Sequence, residues 1–179
     1  MNILGNNITL RSIEAEDLEF LRQMMNDSEL ENYVLGFSFP ISKLAQQKWY
    51  EKSLGDSKNQ KWIIEYENKS VGVVYLSNID WKNRNAEVGI KLHSTTPRRT
   101  GIGFKALDAL EEYVFGQMQL FRLEASILCS NTSSIKLFEK LGWIKEGVLR
   151  KSYYYSFQYH DVYVYSLLYS EYIREKEFS

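Results

Sequence analysis

The hydrophobic period of this chain changes several times, and the order of the changes restricts its fold more than any other feature. Ile8 to Ile13 reads as a short strand. Glu14 to Asn26 then carries Leu18, Leu21 and Met25 at helical spacing, with acidic residues at its start that suit a helix dipole. Ser42 precedes a second helix, KLAQQKWYEKSL. From Lys61 the period becomes two. KWIIEYE, VGVVYLSNID and AEVGIKLH follow one another across the turn residues Asn68-Lys69-Ser70 and Asn83-Arg84-Asn85, the pattern of an antiparallel meander. The helical period returns from Ile102 to Met118, with Leu107, Leu110, Val114 and Met118 on one face. FRLEASILC is a strand, SNTSSIKLFEKLG a short helix stopped by Gly142, and two Tyr-rich strands close the chain in WIKEGVLRKSYYY and YHDVYVYSLLY. The order β-α-α-β-β-β-α-β-α-β-β implies an α/β (α+β) fold in one domain over residues 1–179: a mixed, mostly antiparallel sheet of about seven strands flanked by about four helices.

Composition removes several classes of function. Apolar residues make up 44% and charged residues 25%, an ordinary globular balance, and the net charge of −1 gives no pull toward nucleic acid or an anionic membrane. No apolar run reaches the roughly 20 residues that span a bilayer. The N-terminus lacks a basic region followed by an apolar one, so no secretory signal is read there. Cys129 is the single cysteine, which excludes an intramolecular disulfide and any Cys-x-x-Cys metal site. A soluble, cytoplasmic protein with no metal is expected.

One loop carries chemistry. Residues 98–107 read RRTGIGFKAL, two arginines before a Gly-x-Gly that opens a helix. A nucleotide-triphosphatase loop needs Lys-Ser/Thr after its last glycine, and none follows. A dinucleotide fingerprint is formally present as Gly101, Gly103 and Ala106, with Glu124 about twenty residues on. Its first glycine should sit directly after a strand, yet HSTTPRRT intervenes, and Glu124 lies inside its strand rather than at the end. A third possibility is a diphosphate held by N–H groups at the helix start, with glycines for close approach and Arg98 and Arg99 for charge.

Arg98-x-x-Gly101-x-Gly103 after a strand AEVGIKL resembles the acetyl-CoA motif of the GNAT superfamily of N-acetyltransferases, Gln/Arg-x-x-Gly-x-Gly/Ala. SNTSSIKLFEKLGW is similar to that family's N-x-x-S/A-x-x-L-(Y/F)-x-x-x-G-F segment. EGVLRKSYYY with QYHDVYVYSLL, and the opening ITLRSIEAEDLEFLRQMMND, are similar to the RimJ/RimL-type subgroup that acetylates ribosomal-protein N-termini, a pattern shared with spermidine acetyltransferases. The resemblance implies the GNAT fold, with the sheet splayed between its fourth strand, AEVGIKLH, and its fifth, FRLEASILC, to admit acetyl-CoA. Gly89 either marks the bulge the family carries in that fourth strand or serves small-residue packing.

It also implies direct acetyl transfer to a primary amine in a ternary complex, the amine belonging to a protein N-terminus, a polyamine, an amino sugar or another small molecule. Backbone N–H groups of Val88, Gly89, Ile90, Lys91 and Leu92 would bind the pantetheine arm and polarise the carbonyl. Arg98, Arg99, Thr100, Gly101, Ile102, Gly103 and Phe104 would take the diphosphate. Glu87 stands where the subgroup places a catalytic base; a half-buried strand acid with a raised pKa suits that task. The family's Tyr, seven residues after Asn131, is replaced by Phe138. Ser134 is then either the hydroxyl that meets the leaving sulfur or a first-turn helix serine. Asn131 matches the residue that bonds the CoA arm, and it also suits a helix cap. Tyr33, Phe37 and Tyr154 are either acceptor-side residues or ordinary core, and the acidic run Asp27 to Glu31 either attracts a polyamine or a basic terminus or is a solvated helix end. An edge left after the last strand allows a homodimer. The competing class is a catalytically weak, CoA-binding sensor or scaffold on the same fold.

Overall fold

The computed structural model describes residues 2–5, 7–31, 35 and 39–177. Its centre is one eight-stranded sheet in the order β1-β2-β3-β4-β5-β6-β8-β7. The strands are β1 (Ile3–Gly5), β2 (Ile8–Ser12), β3 (Gln60–Tyr66), β4 (Lys69–Asp80), β5 (Asn85–Leu92), β6 (Arg122–Leu128), β7 (Ile144–Tyr155) and β8 (Gln158–Leu168). Every pairing is antiparallel except β5 with β6. The sheet gains one strand on the seven expected. Ile3 to Gly5 folds back on β2, too short a stretch to show a period of two.

The helices are α1 (Leu18–Met25), α2 (Ser28–Glu31), α3 (Lys43–Ser53), α4 (Ile102–Gly116), α5 (Thr132–Lys140) and α6 (Tyr169–Glu177). A 3₁₀ turn at Ala15–Asp17 leads into α1. Asp17 is buried there because Arg11 clamps both its oxygens, at 2.7 and 2.8 Å, and it also accepts from the Glu14 N–H. Burial alone would raise its pKa; the Arg11 and backbone hydrogen bonds bring it below the ordinary value. Helix α6 follows β8 without a break, Phe115 of α4 lying 5.0 Å from the ring of Tyr172. Sequence reading ended the chain in a strand at Tyr169 because the Tyr-rich run continues across the boundary.

Alternation along the strands divides the molecule into two layers. Leu10, Ile64, Val74, Leu76, Ala86, Val88 and Leu123 face α4, whose Ala106, Leu107 and Leu110 are fully or nearly fully buried against them. Phe138 and Trp143 extend the same core beneath α5. Ile63 and Val73 face the other way, toward Leu21 and Met24 of α1 and Trp49 of α3.

The irregularity between β4 and β5 lies at β4, between Ser77 and Asp80, where Asn78 takes a left-handed φ of 53°. Gly89 sits in regular register opposite Tyr75. A Cβ on Gly89 would lie 2.1 Å from Tyr75 Cζ, so the glycine makes room for a tyrosine ring rather than for a bulge.

Candidate active site

The parallel pairing of β5 with β6 is short. Asn85, Ala86 and Glu87 oppose Arg122, Leu123 and Glu124, and there it stops. Beyond this point β5 keeps β4 on one side, and β6 keeps β8 on the other. The edge of β5 from Val88 to Leu92 therefore faces an opening, with backbone N–H and C=O groups turned toward it. This is the splay expected between AEVGIKLH and FRLEASILC. The cleft holds about 220 Å³ and is lined by Glu87, Val88, Gly89 and Ile90 from β5, Ala125, Ser126 and Ile127 from β6, and Asn131, Ser134 and Phe138 from α5. Tyr75, Ser77 and Leu35 complete it. Its size suits a thioester arm and a small amine, not a whole nucleotide.

Glu87 stands at the fork. Its carboxylate accepts from Asn78 Nδ2 at 3.1 Å and from Ser77 Oγ at 3.5 Å. The left-handed Asn78 is what turns that amide toward it. The residue is exposed rather than half-buried, because the strands part beside it and open its side of the sheet to solvent. Asn131 is buried and caps α5, its side chain accepting from the Ser134 N–H at 3.1 Å. The cap sets the first turn so that Ser134 lines the cleft. Phe138 lies buried edge-on against Trp143, ring centroids 4.8 Å apart, and brings no hydroxyl.

The start of α4 is separate from the cleft lining. Gly101 caps the helix with φ 79° and no side-chain hydrogen bond, and the first helical bond runs from Lys105 N–H to Gly101 O. The N–H groups of Ile102, Gly103 and Phe104 precede that bond and have no intrahelical acceptor. Arg99 is also left-handed, at φ 64°, so the backbone coils just before the helix. Nothing lies within 4 Å of a Cβ placed on Gly101, which leaves the surface above it open to a phosphate. Arg98, Arg99 and Thr100 are exposed around it. Gly103 has a packing task besides the one expected of its backbone. It is buried, and its Cβ position would be 3.3 Å from Leu137, so it lets α4 pack against α5. The side chain of Ile102 is core, and Phe104 carries Lys140 Nζ at 4.8 Å from its ring. A chain that parts two strands beside an arginine-flanked helix start with no side-chain cap fits a diphosphate with a long thioester arm.

Other expected positions fall elsewhere. Tyr154 is at the far end of the β7–β8 hairpin, its ring 5.0 Å from Tyr159 and outside the cleft lining. Tyr33 and Phe37 lie outside the described residues. Glu124, the acid of the dinucleotide alternative, is tied to Arg122 at 2.7 Å within β6. His160 Nε2 meets Tyr155 O at 3.2 Å, and so orders the β7–β8 turn. The residue that sequence reading missed is Tyr75. Its ring covers Gly89, and burial followed by the nearby Glu87 charge raises its pKa, so its hydroxyl stays protonated at neutral pH. A glycine opposite an aromatic in a strand pair was the available signal.

Fold and cleft together define an N-acetyltransferase that draws on acetyl-CoA. The acetyltransferase (GNAT) domain model matches residues 7–144, and the chain belongs to this family. It is 35% identical over 171 residues to the uncharacterized N-acetyltransferase p20 of Bacillus licheniformis, covering 92% of this chain and 94% of that one. It is 25% identical over 178 residues to the spermidine N(1)-acetyltransferase of Vibrio cholerae, covering 97% and 100%. The crystal structure of a Vibrio cholerae spermidine N-acetyltransferase with CoA and spermine superposes with a TM-score of 0.86 at 25% identity, over 93% of this chain and 98% of that chain.

Proposed function

We propose that the protein moves an acetyl group from acetyl-CoA to a primary amine in one step within a ternary complex, acting in the cytoplasm, with Glu87 as general base. The observation that carries this is the end of β5–β6 pairing at Glu87 and Glu124, which leaves a carboxylate at the mouth of a gap between strands. When bound, acetyl-CoA supplies an electrophilic thioester carbonyl. The residues of this chain do the rest. The N–H groups that open α4, with Arg98 and Arg99 beside them, would hold the diphosphate. Backbone N–H groups along Val88 to Leu92 hold the arm and polarise the carbonyl, and Asn131 meets the arm from α5. Glu87 takes a proton from the incoming ammonium, directly or through one water, while Asn78 and Ser77 hold its carboxylate in place. Ser134 donates a hydrogen bond toward the departing sulfur.

The test is Glu87→Gln in a thiol-release assay, with acetyl-CoA binding measured separately. Turnover should drop by roughly 10²-fold or more, the usual worth of a general base, with acetyl-CoA affinity kept. Unchanged turnover would remove Glu87 from the mechanism.

A further inference from the structure

The face of the sheet that carries Glu87 holds a second charged group of opposite sign. Across β3, β4 and β5, Lys61 opposes Tyr75, which opposes Gly89, and Val73 opposes Lys91. Directly opposed residues share a face, so Lys61, Tyr75, Glu87 and Lys91 all point to the side covered by α1 and α3. Lys61 Nζ lies 4.9 Å from the ring of Trp49 and 5.7 Å from that of Tyr75, the ring that floors the cleft. Lys91 is close enough to Lys61 that their charges interact.

Neither ammonium has a carboxylate within ion-pairing distance among the described residues. Four acids of the surrounding elements have partners of their own. Asp17 and Glu65 are held by Arg11 at 2.7 and 2.8 Å, Glu19 by Arg22 at 2.6 Å, and Glu51 accepts from Gln47 at 3.0 Å. Lys61 is exposed beside two rings and Lys91 is half-buried, and two neighbouring like charges with no counter-ion among the described residues favour an anion that joins them. The pKa of each is lowered by burial, and that of Lys91 also by the charge of Lys61, as expected for cations lacking a partner.

We infer that Lys61 and Lys91 form an anion subsite beside the acetyl-transfer cleft, and that the acceptor is a small molecule carrying a carboxylate or phosphate as well as its primary amine. Glu87 and Lys91 are four residues apart on one strand, about 13 Å between Cα atoms, with Tyr75 and Gly89 between them. Their side chains can lean together over that span, so one acceptor of a few bonds' length reaches both. Its ammonium lies toward Glu87 and its anion toward the lysines. A polyamine, cationic along its length, would meet repulsion at the second station. This rests on the transfer reaction proposed above and adds the acceptor's class to it.

The test uses ω-amino carboxylates and aminoalkyl phosphates of graded length, each paired with its neutral amide or alcohol, plus spermidine. Anionic members should exceed their neutral partners and spermidine in kcat/KM by about tenfold or more, one well-placed ionic contact. The carboxylate and phosphate arms show which anion is taken. Lys61→Gln and Lys91→Gln should each shrink the anionic-to-neutral ratio, and Lys61→Arg should restore it. A ratio measured within one protein does not depend on the fraction folded. Preference for spermidine or neutral amines, or a ratio unmoved in both variants, overturns the subsite. If no acceptor is turned over, the reaction fails but the subsite is still decided by calorimetric titration of the same acids into CoA-saturated protein. Binding lost in the lysine variants supports it, and absence of binding overturns it.

Discussion

Gly89 and Tyr75 behave as one unit. The missing side chain of one is occupied by the ring of the other, Tyr75 Oη lying 2.2 Å from where a Cβ would stand. Gly89→Ala should push Tyr75 off the cleft floor, because a phenol can swing about χ1 while the paired strands cannot move apart. The expected result is a fall in kcat/KM of about tenfold or more, since small displacements at a reacting centre are costly, with little change in melting temperature. An unchanged kcat/KM would show that the cleft tolerates the movement. This pair was half legible in the sequence. Glycine at position 89 was visible, but its reason needs the register with β4, which one chain read in order does not supply. The places of Glu87 and Ser134 at the cleft were legible because their motifs are local. Lys61 and Lys91 lie thirty positions apart and become neighbours only across β4.

Helix α5 and strand β5 form the walls of the site, and each is set by its end. Asn131 caps α5 and is buried where Ser134 meets the cleft. Asn131→Ala should cost about 1 kcal/mol of stability, the ordinary worth of a lost cap, and loosen the first turn that presents Ser134. Thermal melting and the KM for acetyl-CoA report the two effects; a variant unchanged in both would leave the cap without a role. Elements with strong periods, such as α4 and the β3–β5 meander, were legible as whole pieces. The β1 hairpin and α6 were not, since a three-residue strand has too few positions to alternate and α6 continues a tyrosine-rich strand without a turn signal. Gly103 shows a subtler limit: its motif suggested phosphate approach, but that it also seats α4 on α5 needs the packing of the two helices to be seen.

At the scale of the whole molecule, an acid of α4 lies deep in the main core. Glu111 of α4 is 2% exposed and accepts from the Trp143 indole N–H at 2.7 Å. Burial pushes its pKa up to about 8, against the opposing effect of the Trp143 hydrogen bond. A folded-state value above the unfolded one means the native state holds the proton longer. Its contribution to stability is therefore complete below the unfolded pKa, about 4.3, and declines as pH rises toward 8. Glu111→Gln keeps an oxygen for the indole and cannot ionise, so its melting temperature should lose this decline between pH 5 and 8. Melting curves across that range, followed by tryptophan fluorescence, check it; parallel slopes for both proteins would show that Glu111 does not carry the effect.

The three-residue contact between β5 and β6 has a mechanical meaning as well. It is the seam of the molecule, where five strands on one side and three on the other are stitched by a few rungs and bridged by α4. Whatever occupies the rest of the seam finishes a sheet that the polypeptide leaves unfinished; in the reaction proposed above the acetyl donor would be a temporary part of the architecture, withdrawn and replaced at each turnover.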